Sequence, residues 1–422
     1  MIIPSIDLMG GQAVQLIGGR EKALDLGDPV PWAEQFRLTG EIAVVDLDAA
    51  LSQGNNADLV ERLLRLAPCR VGGGIRDAAA AIRWLDAGAV RVVLGTAARP
   101  DILRQLPPER VIAALDAVDG EVVVAGWRQR TGRSVPDCMA ELRGLVGGFL
   151  VTLVESEGRL QGIDLGRVAE IVRAAGPTPV TVAGGVSTPE DVAAIDRLGA
   201  DAQVGMALYK GVFSLADALA AMLHSDRPDG LWPTVVADEH GQALGLAWSN
   251  RESLAEAMRS RRGVYRSRAR GLWVKGASSG ATQELLRVDL DCDRDTLRFT
   301  VRQQDPGFCH KGSRTCFGED GGLFRLARRV AARVGSAPPG SYTARLLGDP
   351  GLLASKLTEE AGELARAVTA DEVAGEAADL FYFLLVALAR GGVGLDAVAA
   401  VLDRRELKVT RRPGDAKPPG RP

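Results

Sequence analysis

Three groups of residues in this chain have the types and spacing to do chemistry. The stretch LDCDRD places Asp291, Asp293 and Asp295 around Cys292, and FCHKGSRTCF follows with Cys309, His310 and Cys316. Hard carboxylate oxygens suit Mg²⁺, whereas thiolates suit Zn²⁺. Three thiolates leave a fourth zinc position open for water, and His310 is placed for proton transfer rather than ligation. A second group sets Glu360 three residues before Glu363 and Glu376 three before Asp379. Such pairs share a helix face and repel by up to ~0.5 kcal/mol each, so a bridging Mg²⁺ would relieve them, with Glu359 as a further ligand. The third group is Asp7 and Asp116, accompanied by Gly73, Gly74, Gly95, Gly184, Gly185 and Gly205. Two opposed carboxylates suit general acid and base, and glycine N–H groups cradle phosphates.

Each group also has a plainer reading. Isolated cysteines are often small buried hydrophobes, acidic helix faces are often merely solvated, and single glycines often only turn the chain. Clustering weighs against the plain reading for the thiols, and so does repetition for the glycines. The apolar run DLFYFLLVAL around Asp379 predicts a buried helix, and a buried unpaired carboxylate is costly. VDLDCDRDTLRF alternates as a strand does, which predicts Asp291, Asp293 and Asp295 on one face and Cys292 on the other. An EF-hand calcium loop would need a Gly and a Glu that are missing here.

The elements that must position these residues fall into segments. Over 1–224, eight short apolar runs alternate with amphipathic stretches, which predicts a (β/α)8 TIM barrel, with a doubly wound sheet as the rival. The halves repeat: Gly73 and Gly184 lie 111 apart, Asp7 and Asp116 109 apart. Strands 1 and 5 should therefore face their carboxylates across the barrel mouth, with two phosphate cradles in register. Segment 225–319 predicts a small α+β metal-binding domain, 320–408 an all-α domain, and 409–422 a disordered tail. A multidomain chain fits the 422 residues, and a net charge of −3 gives no basic surface for nucleic acid. The start MIIPSIDLMG lacks a basic leader, and LFYFLLVALA is too short to span a bilayer, so no membrane partner is expected. Five cysteines and three histidines point to a reduced cytoplasmic setting without disulfides or a His-rich metal centre.

Through PSIDL, VVDLD, VGGGIRD, LGTA, LDAVDG…GW and AGGV, residues 1–222 resemble the HisA family of phosphoribosylformimino-AICAR phosphoribosyl isomerases. That resemblance implies a metal-free Amadori rearrangement of an aminoaldose to an aminoketose. Asp7 would be the base, Asp116 the acid that opens the ribose ring, Thr152 an assisting group and Trp127 a substrate-packing residue. One loop departs: the family's T-D-I-x-x-D-G-T is here TLVESEGRL, with Leu153 and Glu157. A degenerate or scaffolding barrel, or one that also accepts phosphoribosylanthranilate, is the alternative.

YRSRARGLWVKGASSGATQ with the Asp and Cys motifs is similar to the HisI family of phosphoribosyl-AMP cyclohydrolases. The resemblance implies zinc-hydroxide attack that opens the purine ring. It also implies a homodimer in which Cys292 of one chain joins Cys309 and Cys316 of another around zinc, and Mg²⁺ at the three aspartates. Ser267, Arg268, Trp273 and Lys275 would line the nucleotide site, while the usual S-G-H is here Ser279-Gly280-Ala281. The paired carboxylates with GSYTARLL resemble the HisE family of phosphoribosyl-ATP pyrophosphohydrolases, whose fold is MazG-like. That implies release of pyrophosphate, with Ser341, Tyr342 and Thr343 as substrate contacts. Together the resemblances predict a trifunctional enzyme acting on small phosphoribosyl nucleotides in three consecutive steps of histidine biosynthesis.

Overall fold

Eight apolar runs of the first segment form eight parallel strands: β1 (Ile2–Met9), β2 (Ile42–Asp46), β3 (Cys69–Gly72), β4 (Arg91–Leu94), β5 (Val111–Ala114), β6 (Gly148–Thr152), β7 (Val180–Ala183) and β8 (Ala200–Val204). Each pairs with the next, and β8 returns to β1 through Ile2↔Ala202, Ile3↔Gln203 and Pro4↔Val204, so the sheet closes. The doubly wound alternative is thereby excluded. Helices fill the crossovers where the sequence carries caps. Helix α1 (Pro189–Arg197), for example, opens on a Thr188–Asp191 capping box with proline in its first turn.

This computed structural model describes residues 1–411 apart from positions 20, 125, 128 and 270. The expected tail, 409–422, lies outside the described residues from 412 onward. At its start, Val409 and Thr410 both donate N–H to Asp86 Oδ1, at 2.8 and 3.0 Å. Two compact units are formed, one by Met1–Ala237, Leu246–Asp305 and the described residues from Leu407, the other by Asp238–Gly245 and Pro306–Glu406. Among the described residues no single helix is long and apolar enough to cross a membrane.

Beyond the barrel come β9 (Trp232–Asp238), β10 (Ala243–Ser249), β11 (Val264–Ser267), β12 (Gly271–Val274), β13 (Gln283–Leu290) and β14 (Leu297–Gln303). A four-stranded sheet runs β10-β9-β14-β13, and β11 pairs with β12. Here the strand parity expected for LDCDRD fails. Strand β13 ends at Leu290, which pairs with Leu297, so Asp291, Cys292, Asp293 and Asp295 sit in the hairpin loop and have no alternating faces. The reason is local. Aspartates are poor strand formers and good turn formers, and the Asp291 carboxylate accepts the amides of Asp295 and Thr296 at 3.0 Å each. Arg294 completes the turn in the left-handed region at φ 64, which costs a non-glycine residue about 1–2 kcal/mol.

The second unit carries α2 (Gly322–Ala332), α3 (Tyr342–Gly348), α4 (Pro350–Arg366), α5 (Ala370–Arg390) and α6 (Leu395–Glu406). Val330, Leu346, Leu353, Phe383, Leu385 and Val386 form its core. The expectation that α5 is buried all round, and Asp379 with it, is corrected. Phe383, Leu385 and Val386 turn inward, but Phe381 is 46% exposed, and Asp379, although its carboxylate points toward Glu360 of α4, is exposed as well. Only one side of α5 meets the neighbouring helices, so its apolar composition does not determine its burial.

The internal repeat has a direct physical trace. Gly73 (φ 94) and Gly184 (φ 91) both adopt backbone angles that suit glycine, and a Cβ on either would run into a backbone carbonyl, of Asp46 after β2 or of Leu153 after β6. Gly95 has open space where its Cβ would go. Gly73→Ala is therefore expected to lower stability by about 1–3 kcal/mol, and Gly95→Ala to stay within about 0.5 kcal/mol, as read from urea unfolding midpoints of the full chain.

Candidate active sites

At the barrel mouth, strand ends put the sequence's candidates on one face, where such barrels carry their chemistry. Asp7 lies near the end of β1, Thr152 is the last residue of β6, and Asp116 follows β5 by two residues. Gly73, Gly74, Gly95, Gly184, Gly185 and Gly205 all follow strand ends on the same side. The Trp127 indole donates from Nε1 to Asp116 Oδ2 at 2.7 Å, and the Thr152 side chain also bonds to this carboxyl. Trp127 itself holds φ 65, a strained angle for an aromatic residue. A cavity of about 450 Å³ opens on Asp116, Trp127, Gly95 and Arg99.

The two aspartates are not electrostatic equals. Burial pushes the Asp7 carboxyl up to about 7, and Gln15 Nε2 donates to it at 3.2 Å. Burial also raises Asp116, but the hydrogen bonds from Trp127 and Thr152 oppose the shift. A third acid joins them. Glu157 is pushed up to about 7 by burial first, then by the charges of Asp7 and Asp116. Its Oε2 lies 3.3 Å from where a Gly184 Cβ would sit, beside the Gly184–Gly185 pair.

Sequence reading named Glu157 only as a departure from the family loop and missed Gln15 altogether. The available signal for Gln15 was a polar residue in the apolar run AVQLI, where it is 2% exposed. For Glu157 nothing local distinguished it from Glu155, because only the fold turns it inward.

In the hairpin loop, Asp291, Asp293 and Asp295 bring one carboxylate oxygen each within 4.8 Å of one another, despite the failed parity. Burial would raise the Asp291 carboxyl, but the amides of Thr296 and Asp295 outweigh it and hold it below the usual range. A trio of carboxylate oxygens of this kind fits a hard cation. Cys292 is exposed beside it. Elsewhere in the first unit, Trp273 packs on the buried Tyr265, Arg268 lies over the Trp248 ring at 5.7 Å, and Lys275 donates to the Ala281 carbonyl at 3.0 Å. Ser267 ends β11 and is half-buried.

The second unit holds the other two thiols. Cys309 is lowered chiefly by the Lys311 amide and the Ser313 side chain, and it also bonds to Cys316. Two thiols in contact, one of them lowered in this way, fit a soft metal. His310 beside them is exposed.

On α4 and α5 the carboxylates form two overlapping trios, Glu359 with Glu360 and Glu363, and Glu360 with Glu376 and Asp379. Glu360, not Asp379, is the buried member, at 5% exposure. Lys356 reaches Glu359 and Glu360 at 2.8 and 2.9 Å. The Glu376 carboxyl is raised by desolvation, then by Glu363, Glu360 and Asp379, as crowded acids are. Ser341 caps α3, Tyr342 packs edge-on to Phe383, and Thr343 bonds to the Tyr382 hydroxyl at 2.8 Å.

Residues 1–214, half of the chain, match the family described as "Histidine biosynthesis protein". Residues 245–318 match "Phosphoribosyl-AMP cyclohydrolase" and 323–406 match "Phosphoribosyl-ATP pyrophosphohydrolase". Histidine biosynthesis trifunctional proteins are among the similar proteins. That of Komagataella pastoris is 52% identical over 206 residues, 49% of this chain and 24% of the other. That of Neurospora crassa is 46% identical over 256 residues, 61% and 27%. The chain thus matches about a quarter of the length of each. The 1-(5-phosphoribosyl)-5-((5-phosphoribosylamino)methylideneamino)imidazole-4-carboxamide isomerase of Methanosphaerula palustris is 39% identical over 234 residues, 52% of this chain and 99% of that one.

The raised Asp7 carboxyl carries a stability consequence. Its pKa in the folded protein, about 7, lies above the ordinary 3.8, so the folded state binds the extra proton and loses stability as pH rises from about 4 through 7. Asp7→Asn removes that loss. It is expected to stabilise the protein by on the order of 2–4 kcal/mol at pH 8 and by less at pH 5, as unfolding midpoints at the two pH values would read.

Proposed function

The chain belongs to the histidine biosynthesis protein family, and from that premise we propose a trifunctional enzyme for three consecutive steps of that pathway. It would hydrolyse phosphoribosyl-ATP to phosphoribosyl-AMP and pyrophosphate, open the purine ring of phosphoribosyl-AMP, and isomerise the resulting aminoaldose to the aminoketose. The observation that carries this reading is that each family match contains its own assembled reactive group. The barrel match holds the carboxyl trio, the cyclohydrolase match the acidic loop and the Cys309–Cys316 pair, and the pyrophosphohydrolase match the helical carboxylates.

In the isomerisation, Asp7 takes the C2′ proton of the substrate. Its pKa of about 7 suits a base that must later release that proton near neutrality. Asp116, held by Trp127 and Thr152, gives its proton to the ribose ring oxygen, and the two glycine pairs receive the phosphates at the substrate's ends. The helical carboxylates fit Mg²⁺, which would supply a cation for the polyphosphate and a polarised water. Glu360, Glu363, Glu376 and Asp379 would hold it, with Glu359 accessory. Ser341, Tyr342 and Thr343 would contact the substrate.

For the ring opening, Cys292, Cys309 and Cys316 would hold Zn²⁺, whose bound water has a pKa near ~7. His310 would relay a proton, and Asp291, Asp293 and Asp295 would hold Mg²⁺. Ser267, Arg268, Trp273 and Lys275 would line the nucleotide site. We read the thiols as shared between two copies of a homodimer, and exposed Cys292 is accessible to such a second copy. The setting in this reading is reducing and cytoplasmic, which a sparse and odd number of cysteines, five in 422 residues, supports. The three-segment division at 224/225 and 319/320 belongs to this reading.

One observation favours a second reading of the barrel. A carboxylate beside Gly184 repels an incoming phosphate, and Glu157 stands there. The barrel would then isomerise weakly or prefer another substrate. The variant Glu157→Gln distinguishes the two. If Glu157 only tunes phosphate binding, KM of the isomerase step falls several-fold above pH 7 and little below pH 6, with kcat unchanged. A barrel that has lost this reaction stays inactive in both forms.

The whole reading is tested by supplying phosphoribosyl-ATP with Mg²⁺ and Zn²⁺ and identifying the furthest product by mass spectrometry. The intact chain should deliver the aminoketose. Asp7→Asn should stop one step earlier, with isomerisation reduced about 10²–10⁴-fold, Cys309→Ser should accumulate phosphoribosyl-AMP, and Glu360→Gln should leave phosphoribosyl-ATP. Chelation should halt both hydrolyses and spare the isomerisation of supplied aminoaldose.

A further inference from the structure

Arg294 stands inside the acidic loop, yet its side chain leaves the aspartates of that loop for the barrel. Nε and Nη2 donate to Asp196 Oδ2 and Oδ1 at 2.9 and 2.8 Å, a fork-on-carboxylate pair with the last turn of α1. Nη1 donates back to the Asp291 carbonyl at 2.7 Å. The Arg294 carbonyl in turn accepts the His224 amide at 2.9 Å. The ion pair is sheltered, with side chains 24% and 12% exposed, so solvent screens it less than a surface pair. Asp196 also accepts from the Met1 amino group at 2.9 Å. All of these residues lie in the first unit.

The backbone makes the same point. Position 294 needs a left-handed angle, φ 64, which glycine or asparagine would adopt at less cost. An arginine there is costly for the turn and is explained by what its side chain reaches. Meanwhile the oxygens of Asp291, Asp293 and Asp295 sit on a loop rather than a strand, so no sheet register fixes their spacing. Three like charges within 4.8 Å push such a loop open unless something holds it.

We infer that Arg294 is a positioning residue through which the barrel holds loop 291–296 in ligating shape, so that the loop's cation affinity depends on the Arg294–Asp196 pair. The inference rests on the proposed reading of this loop as a divalent-cation site. It makes the barrel a structural part of the neighbouring site, independent of the barrel's own chemistry.

The test uses the full chain carrying Glu360→Gln and Glu376→Gln, which silences the helical carboxylates, titrated with Mn²⁺ and read by electron paramagnetic resonance of the free ion. Arg294→Gly keeps the turn's backbone angle and deletes the tether, and Asp196→Asn deletes its anchor. Each is expected to weaken Mn²⁺ binding by roughly 5- to 50-fold, with Arg294→Lys in between. Amide exchange within 291–296 should quicken in Arg294→Gly without Mn²⁺. Glu34→Gln is the control, because Glu34 pairs with Arg261 at 3.2 Å and also links the barrel to the segment beyond it, away from the loop. It should leave Mn²⁺ binding unchanged. Equal weakening by Glu34→Gln would mean general loosening and would overturn the inference. Unchanged affinity in Arg294→Gly, while Asp293→Asn abolishes binding, would overturn it and leave the cation site standing. If Asp293→Asn has no effect either, the loop is no cation site and both readings fall.

Discussion

Like charge held at close quarters is the constraint that every candidate site in this protein must meet. Carboxylates gather in the barrel mouth, in the hairpin loop and between α4 and α5. Each gathering is unfavourable by itself, and each is held by a different device. In the barrel, burial raises Asp7 and Glu157 to about 7, so at neutral pH each carries only part of its charge. In the loop, the amides of Asp295 and Thr296 stabilise charge on Asp291. Between the helices, Lys356 neutralises one edge while Glu376 is left raised. The first device suits proton transfer and the other two suit cations.

These devices differ in how much scaffold they need. The barrel carboxyls hang from strands locked by a closed parallel ladder, so their separation follows from the fold. The helical carboxylates need only two packed helices, with Phe383, Leu385 and Val386 anchoring α5. The loop has neither ladder nor helix, and its outside contacts are with Asp196 and His224 of the barrel segment. The weakest element thus draws its order from the strongest.

Much of this was legible in the sequence, for reasons that can be stated. Parallel strands buried on both faces read as continuous apolar runs, and a repeat at offsets of 109 and 111 doubles the signal, so all eight barrel strands could be found. The aspartates of the loop were grouped correctly by an argument that fails. Parity assumed a strand through 291–296, where the chain turns instead. Asp379 was expected inside because its neighbours are apolar, but composition does not say which face of a helix finds a partner. Glu157, Gln15 and Arg294 carry no local mark of their positions, because residues remote in sequence set their surroundings.

The repeat also shows where symmetry must end. Two half-barrels supply Asp7 and Asp116 as equivalent carboxyls on equivalent strands, yet an acid–base pair needs unequal partners. The inequality comes from donors the repeat does not copy. Asp116 receives the Trp127 indole and the Thr152 side chain, which favour its charged form against burial. Asp7 has Gln15 at a longer 3.2 Å, and its carboxyl rises to about 7. Glu157, from the loop after β6, is raised by burial first and then by the charges of Asp7 and Asp116, so the three acids act on one another's protons. A duplicated scaffold therefore fixes where the carboxyls stand, and a few unduplicated side chains give each of them its own surroundings.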